Sequence, residues 1–378
     1  MLLVTEHSIW AEINLSALAH NLGEVRRLVG SDTEIAAVVK ANAYGHGLVE
    51  AARTFLSAGA DRLAVARVEE GLALRAAGID AEILVMGFSP PFLYDAALEH
   101  RLTLTVFDPN LAEVLSDTAG RRRDTARVHL ELDTGMGRLG IPVDRDVYRR
   151  VASIAFLPHL EIEGLYTHFA NADRADKTHA QQQLVAFVEV VCSLGQDGID
   201  IPLLHAANSA ALIDLPESRL NMVRPGIMLY GLYPSAEVDR EQVDLRPAMT
   251  LKAQVGFVKR VPAGFCVSYG STYTTPAPTV LATVPCGYGD GYSRRLSNRG
   301  TVLIHGKRAP VVGRVCMDYI VVDVGHIPDV VVGDEVVIFG RQGESELHVD
   351  EVASLLDTIN YEVVCAVSAR VPRVYVRE

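Results

Sequence analysis

Ala36-Ala37-Val38-Val39-Lys40-Ala41-Asn42-Ala43-Tyr44-Gly45-His46-Gly47 is the stretch on which the reading of this chain turns. A short apolar run ends in one lysine, and small residues, a tyrosine and two glycines follow at once. Ile35 to Val39 reads as a fully buried strand. That places Lys40 at the carboxyl end of the strand, where the active sites of α/β barrels sit. A lysine there is either a charged residue closing a strand or a neutral nucleophile. In the second case its amine can form a Schiff base with an aldehyde cofactor.

The residues on either side extend the pattern. Trp10-Ala11-Glu12-Ile13 reads as a short strand, and Asn14 or Ser16 can cap a helix running through Leu22, Val25 and Leu28 to Gly30. Apolar strands follow near 35–39, 63–66, 83–86, 103–106, 128–132, 162–167, 203–206 and 221–223, with helical patterns between most of them. Val68 to Gly78 is one helix, ended by its glycine, and Arg174 to Leu194 is the longest. Strands alternating with helices over about two hundred residues predict a (β/α)8 TIM barrel, with an open doubly wound sheet as the alternative. After Tyr233-Pro234 the alternation stops, and residues 235–247 read as a polar linker. From Met249 the segments are rich in Val, Thr and Tyr: Thr279–Val284, Thr301–Ile304, Val311–Val315, Tyr319–Val324 and Glu335–Phe339, with one helix at Val349 to Leu356. The expected organisation is a barrel domain over 1–240 and a mainly β C-terminal domain over 241–378.

Composition narrows the function. A net charge of −12 disfavours a nucleic-acid surface. Five cysteines with no C-x-x-C pair disfavour a disulfide framework and a zinc site and suit a cytoplasmic protein; no metal is expected. No basic secretory n-region and no apolar run of membrane-spanning length is present.

The run from Val39 to Gly47 resembles the pyridoxal-phosphate attachment motif of alanine racemases, and the barrel followed by a β domain is similar to the layout of that family. The resemblance covers nearly the whole chain. It implies a pyridoxal 5'-phosphate-dependent isomerase that interconverts L- and D-alanine, supplies D-alanine for peptidoglycan, and works as a head-to-tail homodimer with shared sites. By the same resemblance Lys40 holds the cofactor and is one of two bases. Arg224, in Arg224-Pro225-Gly226-Ile227, bonds to the ring nitrogen. An arginine has only donors and keeps its proton, so it leaves that nitrogen unprotonated, which favours racemisation over transamination. His205 is either the partner of that arginine or a buried core histidine.

A glycine after the last barrel strand lets backbone amides approach a phosphate. Gly226, Ile227 and Ser209 are therefore expected at the phosphate, and the resemblance adds Tyr44 and Tyr361. It also implies Tyr269 as the second base, with His168 as its partner. Free tyrosine has a pKa near 10 and needs such help to act as a base at neutral pH. Arg138, in Gly135-Met136-Gly137-Arg138, can hold the substrate carboxylate or polarise the phenolic oxygen of the cofactor. Met317 is implied beside the substrate carboxylate. Tyr288 and Tyr361 are implied at a narrow entrance, with Asp173, Arg294 and Arg314 further out.

One position departs from the family. Many members carry a lysine seven positions before that arginine, which takes up carbon dioxide to become an anionic carbamate. Here the position is Glu131. His129, Glu131 and Asp133 alternate with Val128, Leu130 and Leu132, so they point into the barrel. A carboxylate there is costly unless paired, and Arg138 is the expected partner. The alternatives are a racemase of broader range, acting on serine for example, an amino-acid decarboxylase of the same layout, and a non-catalytic carrier of the cofactor.

Overall fold

A computed structural model describes residues 7–377. The chain divides into two compact units. One comprises Leu18–Ala43 and Leu48–Arg246; the other comprises the stretch ending at Ala17, the segment Tyr44–Gly47, and Pro247 onward.

The strands, in chain order, begin with β1 (Ile9–Asn14), which leads directly into the helix Leu15–Val29. Asn14 caps that helix: its Oδ1 accepts from Ala17 N at 3.0 Å. The first unit is then built on β2 (Glu34–Val38), β3 (Arg62–Val65), β4 (Ile83–Val85), β5 (Thr103–Val106), β6 (Ala126–Asp133), the short β7 (Ile141–Pro142), β8 (Leu160–Thr167), β9 (Leu203–His205) and β10 (Met222–Val223). The hydrogen-bonded order is β10-β2-β3-β4-β5-β6-β8-β9, all parallel, with β7 beside β6. Arg224 N donates to Ala207 O at 3.0 Å, and Asn221 holds both Leu204 N and Pro202 O, so β9 and β10 complete the ring. This is the (β/α)8 barrel, not the open sheet. The strands bury their apolar residues because side chains fill the ring inside and helices cover it outside, while β6 and β8 also carry His129, Glu131 and Glu163. The long helix runs Thr178–Gln196 and starts later than Arg174. Glu237 accepts from Ala175 N at 2.7 Å and holds the preceding residues as a turn.

The second unit is mainly β. Its largest sheet joins β11 (Met249–Gln254), β16 (Thr301–Ile304), β17 (Lys307–Pro310), β19 (Glu335–Gln342), β20 (Ser345–Leu347) and β21 (Arg373–Val376). A smaller sheet joins β12 (Phe257–Val261), β15 (Thr279–Val284) and β18 (Ile320–Asp323), and β13 (Cys266–Val267) pairs with β14 (Tyr273–Thr274).

Several expectations need correction. β1 belongs to this unit and not to the barrel, because it pairs antiparallel with β11 and parallel with β21 and fills the gap between them. On the carboxyl side the division falls at Arg246/Pro247 rather than after residue 240. Val311–Val315 is not a strand: Gly313 has φ +78° and leaves only a bridge from Val311 to Val322. A second helix, Asn360–Ala366, follows Val349–Leu356. Among the described residues no helix is long and apolar enough to cross a membrane.

Candidate active site

Lys40 follows β2 immediately, and the backbone then turns left-handed. Ala41, Asn42, Ala43 and Tyr44 have φ of 53°, 55°, 54° and 52°. Non-glycine residues adopt this conformation at a cost of about 1–2 kcal/mol each, so surrounding bonds must hold it. Glu70 Oε1 accepts from Ala41 N at 2.6 Å, and Asn42 Oδ1 accepts from Leu48 N at 2.8 Å. The other oxygen of Glu70 accepts from Ala66 N just after β3, so one half-buried carboxylate ties two strand ends together. The glycines of the motif have separate reasons. A Cβ on Gly45 (φ +83°) would lie 2.3 Å from Val364 O, and one on Gly47 (φ +101°) 2.0 Å from the Tyr375 hydroxyl.

The barrel brings several expected residues to the same end. β2 pairs with β10, and Val38 N donates to Pro225 O at 3.0 Å, which sets the Lys40 strand beside Arg224-Pro225-Gly226. Ser209 begins the short helix Ser209–Asp214, capped by Asn208, and its hydroxyl accepts from Gly226 N at 2.8 Å. Ile227 starts the next helical turn. His168 follows β8. Burial first, then the positive charges of Arg224, Arg138 and Lys40, hold its pKa well below the usual value. Its imidazole is therefore neutral. Asp173 lies in the loop after β8, where its carbonyl accepts from the Ser235 hydroxyl at 2.5 Å.

Arg224 is buried and fully engaged on one side. Nη1 donates to His205 Nδ1 at 2.5 Å, and Nη2 donates to Thr167 O at 2.8 Å and Ala206 O at 3.2 Å and lies 3.4 Å from His168 Nδ1. His205 is thus the partner of the arginine. Burial pulls the Arg224 pKa down to about 10, which leaves the side chain cationic at neutral pH.

The expected ion pair between Glu131 and Arg138 is not formed. Arg138 is exposed, on a loop shaped by Asp133, whose Oδ1 accepts from Gly135 N at 2.9 Å and Gly137 N at 3.0 Å. Glu131 is buried mid-strand, and one of its oxygens has no hydrogen-bond partner among the described residues. Burial raises its pKa; the charge that opposes this most is Arg224, then the Tyr166 hydroxyl, with Arg138 behind both.

The remaining expected residues lie in the β unit. Tyr44 packs against Tyr361, ring centroids 6.1 Å apart, and burial raises the pKa of Tyr44. Tyr269 sits on a turn and is 71% exposed. Preceding it, Ser268 donates to Arg314 O at 2.7 Å. Tyr288 N donates to Cys316 O at 3.0 Å and Gly289 N to Met317 O at 2.9 Å. Ser297, which bonds to Arg294 O, accepts from Val315 N at 3.0 Å. The loops carrying Tyr269, Tyr288, Arg294, Arg314 and Met317 are therefore stitched into one surface. Arg370 locks it by bonding Asp290 at 2.7 Å and Asp318 at 2.9 Å. The reading from sequence missed Arg370, Glu70 and Gln183. The last is buried and holds both His168 O and Ala170 N; each is an ordinary polar residue on a helix or loop until the fold supplies its partners.

Comparison with known proteins gives a consistent picture. The family model for the alanine racemase N-terminal domain matches residues 13–234 and that for the C-terminal domain residues 248–375. An alanine racemase of Desulforamulus reducens is 54% identical, with 97% of this chain and 99% of that protein covered. One of Methanococcus maripaludis is 48% identical, with 98% and 100% covered. Among solved structures, the alanine racemase of Clostridium difficile superposes with a TM-score of 0.94 at 41% identity, covering 98% of this chain and 96% of that one. The alanine racemase of Bacillus anthracis with bound L-Ala-P gives 0.91 at 42% identity, covering 98% and 95%.

Proposed function

The chain belongs to the alanine racemase family of isomerases, and from that premise we propose that it interconverts L- and D-alanine with pyridoxal 5'-phosphate and two bases. D-alanine made in this way would feed peptidoglycan synthesis. The observation that carries the reading is the pairing of β2 with β10, which sets the strand ending at Lys40 beside Arg224-Pro225-Gly226 at the carboxyl end of the barrel, with Arg224 Nη2 3.4 Å from His168 Nδ1.

The residues present suit the cofactor. The Ser209 hydroxyl, oriented by the bond it accepts from Gly226 N, and the Ile227 amide that opens the turn are donors of the kind a phosphate requires. Arg224 uses Nη1 and Nη2 on protein acceptors, leaving Nε–H for a ring nitrogen. Tyr44 and Tyr361 form an aromatic pair on the other unit. When bound, pyridoxal phosphate supplies an aldehyde that joins the amine of alanine and a ring that takes up the electrons of the α-C–H bond.

The rest is the work of this chain. Lys40 would hold the cofactor, and its amine would take or return the proton on one face of the α-carbon. Tyr269 does the same on the opposite face. His168 accepts from Arg224 at Nδ1, so its own proton sits on Nε2, which can donate to a phenolate oxygen. Arg138 and the Met317 amide hold the substrate carboxylate, and Tyr288 with Tyr361 narrows the entrance to a small side chain, with Asp173, Arg294 and Arg314 outside. Tyr269 reaches the site from a second copy of the chain. Its 71% exposure, beside the exposed Met317 and Tyr319, supports a face that another subunit covers.

Borohydride reduction of the protein loaded with pyridoxal phosphate tests the reading. Label is expected on the peptide containing Lys40, and the untreated protein should exchange the α-proton of both alanine enantiomers in deuterated water. Label on another lysine, or alanine left unexchanged, would refute it.

A further inference from the structure

The polar side chains inside the barrel form one line from Arg224 downward. Arg224 Nη1 lies 2.5 Å from His205 Nδ1, and His205 Nε2 lies 2.8 Å from His129 Nδ1. His129 Nε2 lies 3.1 Å from Glu163 Oε2. Glu163 Oε1 is 3.2 Å from Arg62 Nη1, whose Nε is 2.8 Å from Glu34 Oε2. His129, His205, Arg62 and Arg224 are all buried. The proposed reaction uses none of His129, Glu163 and Arg62.

The chemistry of the two ends sets the protons in between. A guanidinium only donates, so His205 Nδ1 is bare and its proton is on Nε2. That proton is donated to His129 Nδ1, which is therefore bare, and the His129 proton on Nε2 is donated to Glu163. A carboxylate only accepts, so the lower end demands the same order as the upper. Burial first, with Arg224 second for His205, lowers the pKa of both imidazoles and keeps them neutral. Burial alone would raise the pKa of Glu163, but the bond from His129 and the charge of Arg62 bring it down to about 2.

The backbone makes room for this arrangement. A Cβ on Gly164 would lie 2.5 Å from His129 Nδ1, so the imidazole occupies the space of a side chain. Tyr166 lies flat against His205, with centroids 4.6 Å apart and 14° between planes, and the Arg224 guanidinium sits 4.8 Å over the same ring.

We propose that Glu163 and His129 are positioning residues for Arg224: they lock His205 as the Nε2–H tautomer, so that the guanidinium always meets a neutral acceptor. The nearest counter-charge in hydrogen-bonded contact is then two imidazoles away. A carboxylate directly against Arg224 would compete for its donors and weaken the one left for a ring nitrogen; the relay fixes the arginine without that competition. The inference rests on the proposed role of Arg224 toward pyridoxal phosphate.

Two measurements test it. Neutron crystallography of the deuterium-exchanged protein should show a deuteron on Nε2 and none on Nδ1 in both His129 and His205. A deuteron on His205 Nδ1, or two on either ring, would overturn the assignment. The second is pyridoxal-phosphate affinity in Glu163→Leu. It should fall about tenfold when Arg224 is present and stay unchanged in an Arg224→Ala background, because the coupling acts through that residue. Glu163→Gln, which keeps an accepting oxygen, should restore most of the loss. Equal losses in both backgrounds, or no loss, would show a merely structural role. If the leucine variant does not fold, the neutron map still decides. A protein that binds no pyridoxal phosphate would sink the proposed function and leave the tautomers to be read independently.

Discussion

Single residues carry the proposed chemistry in unequal ways. Lys40 was legible because its neighbours form an unusual string. Tyr269 was not: a tyrosine on a turn of a β domain has no local mark of function, and the resemblance alone singled it out. Tyr269→Phe removes one hydroxyl from an exposed side chain. It should keep pyridoxal phosphate and lower kcat about 10²–10⁴-fold, the usual contribution of a general base. Proton exchange from one alanine enantiomer should fail while exchange from the other persists. Wild-type turnover in that variant would assign the second base elsewhere. Glu131 shows where residue-level reasoning stopped. Its inward direction was readable from alternation along β6, but its strongest opposite charge is Arg224, which is 93 positions away in sequence (224 − 131).

Elements differ in how much of themselves they reveal. The barrel strands stood out because buried parallel strands are continuous apolar runs. The turn after Lys40 did not. Ala-Asn-Ala-Tyr contains no glycine, yet all four residues are left-handed, held by Glu70 and by Asn42 itself. The latch in the β unit is similar. Arg370 joins Asp290 to Asp318 and so fixes the Tyr288 loop against the Met317 loop. Arg370→Met should free the Met317 amide and raise KM for alanine about tenfold with little change in kcat, since it disturbs binding more than chemistry. Steady-state kinetics in both directions checks this; a loss confined to kcat would contradict it.

At the scale of the whole molecule two consequences follow. If the lysine and the tyrosine of one site come from different subunits, mixing Lys40→Ala with Tyr269→Phe should recover activity, because each heterodimer contains one intact site. Heterodimers that form and stay inactive would place both bases in one chain. The second consequence concerns pH. His129, His168 and His205 all have pKa values lowered by burial in the folded barrel. The unfolded chain therefore binds protons that the folded chain does not once the pH drops below about 6.5. Their contribution to stability is complete above that value and is lost as the pH falls. Each can take away up to about 1.4 kcal/mol per pH unit. Glu163 adds to the loss below its ordinary range, down to about pH 2. Urea midpoints measured from pH 8 to pH 5 should decline; constant midpoints would mean that the histidines are already protonated in the fold.

What the sequence determined by itself was whatever depends on neighbours along the chain: strand and helix periods, the end of β2 at Lys40, a helix cap at Asn14 or Ser16, and the motif that carries the family resemblance. Local geometry and side-chain chemistry are enough for these. The tertiary structure decided the rest. It moved β1 into the β unit, because its two partners lie near the far end of the chain. It buried Glu131 while leaving Arg138 on an exposed loop, and it lined up Arg224, His205, His129 and Glu163. Such pairings join strands distant in sequence, and a hydrogen bond spans about 3 Å. Only the closed ring of strands brings those atoms within that range.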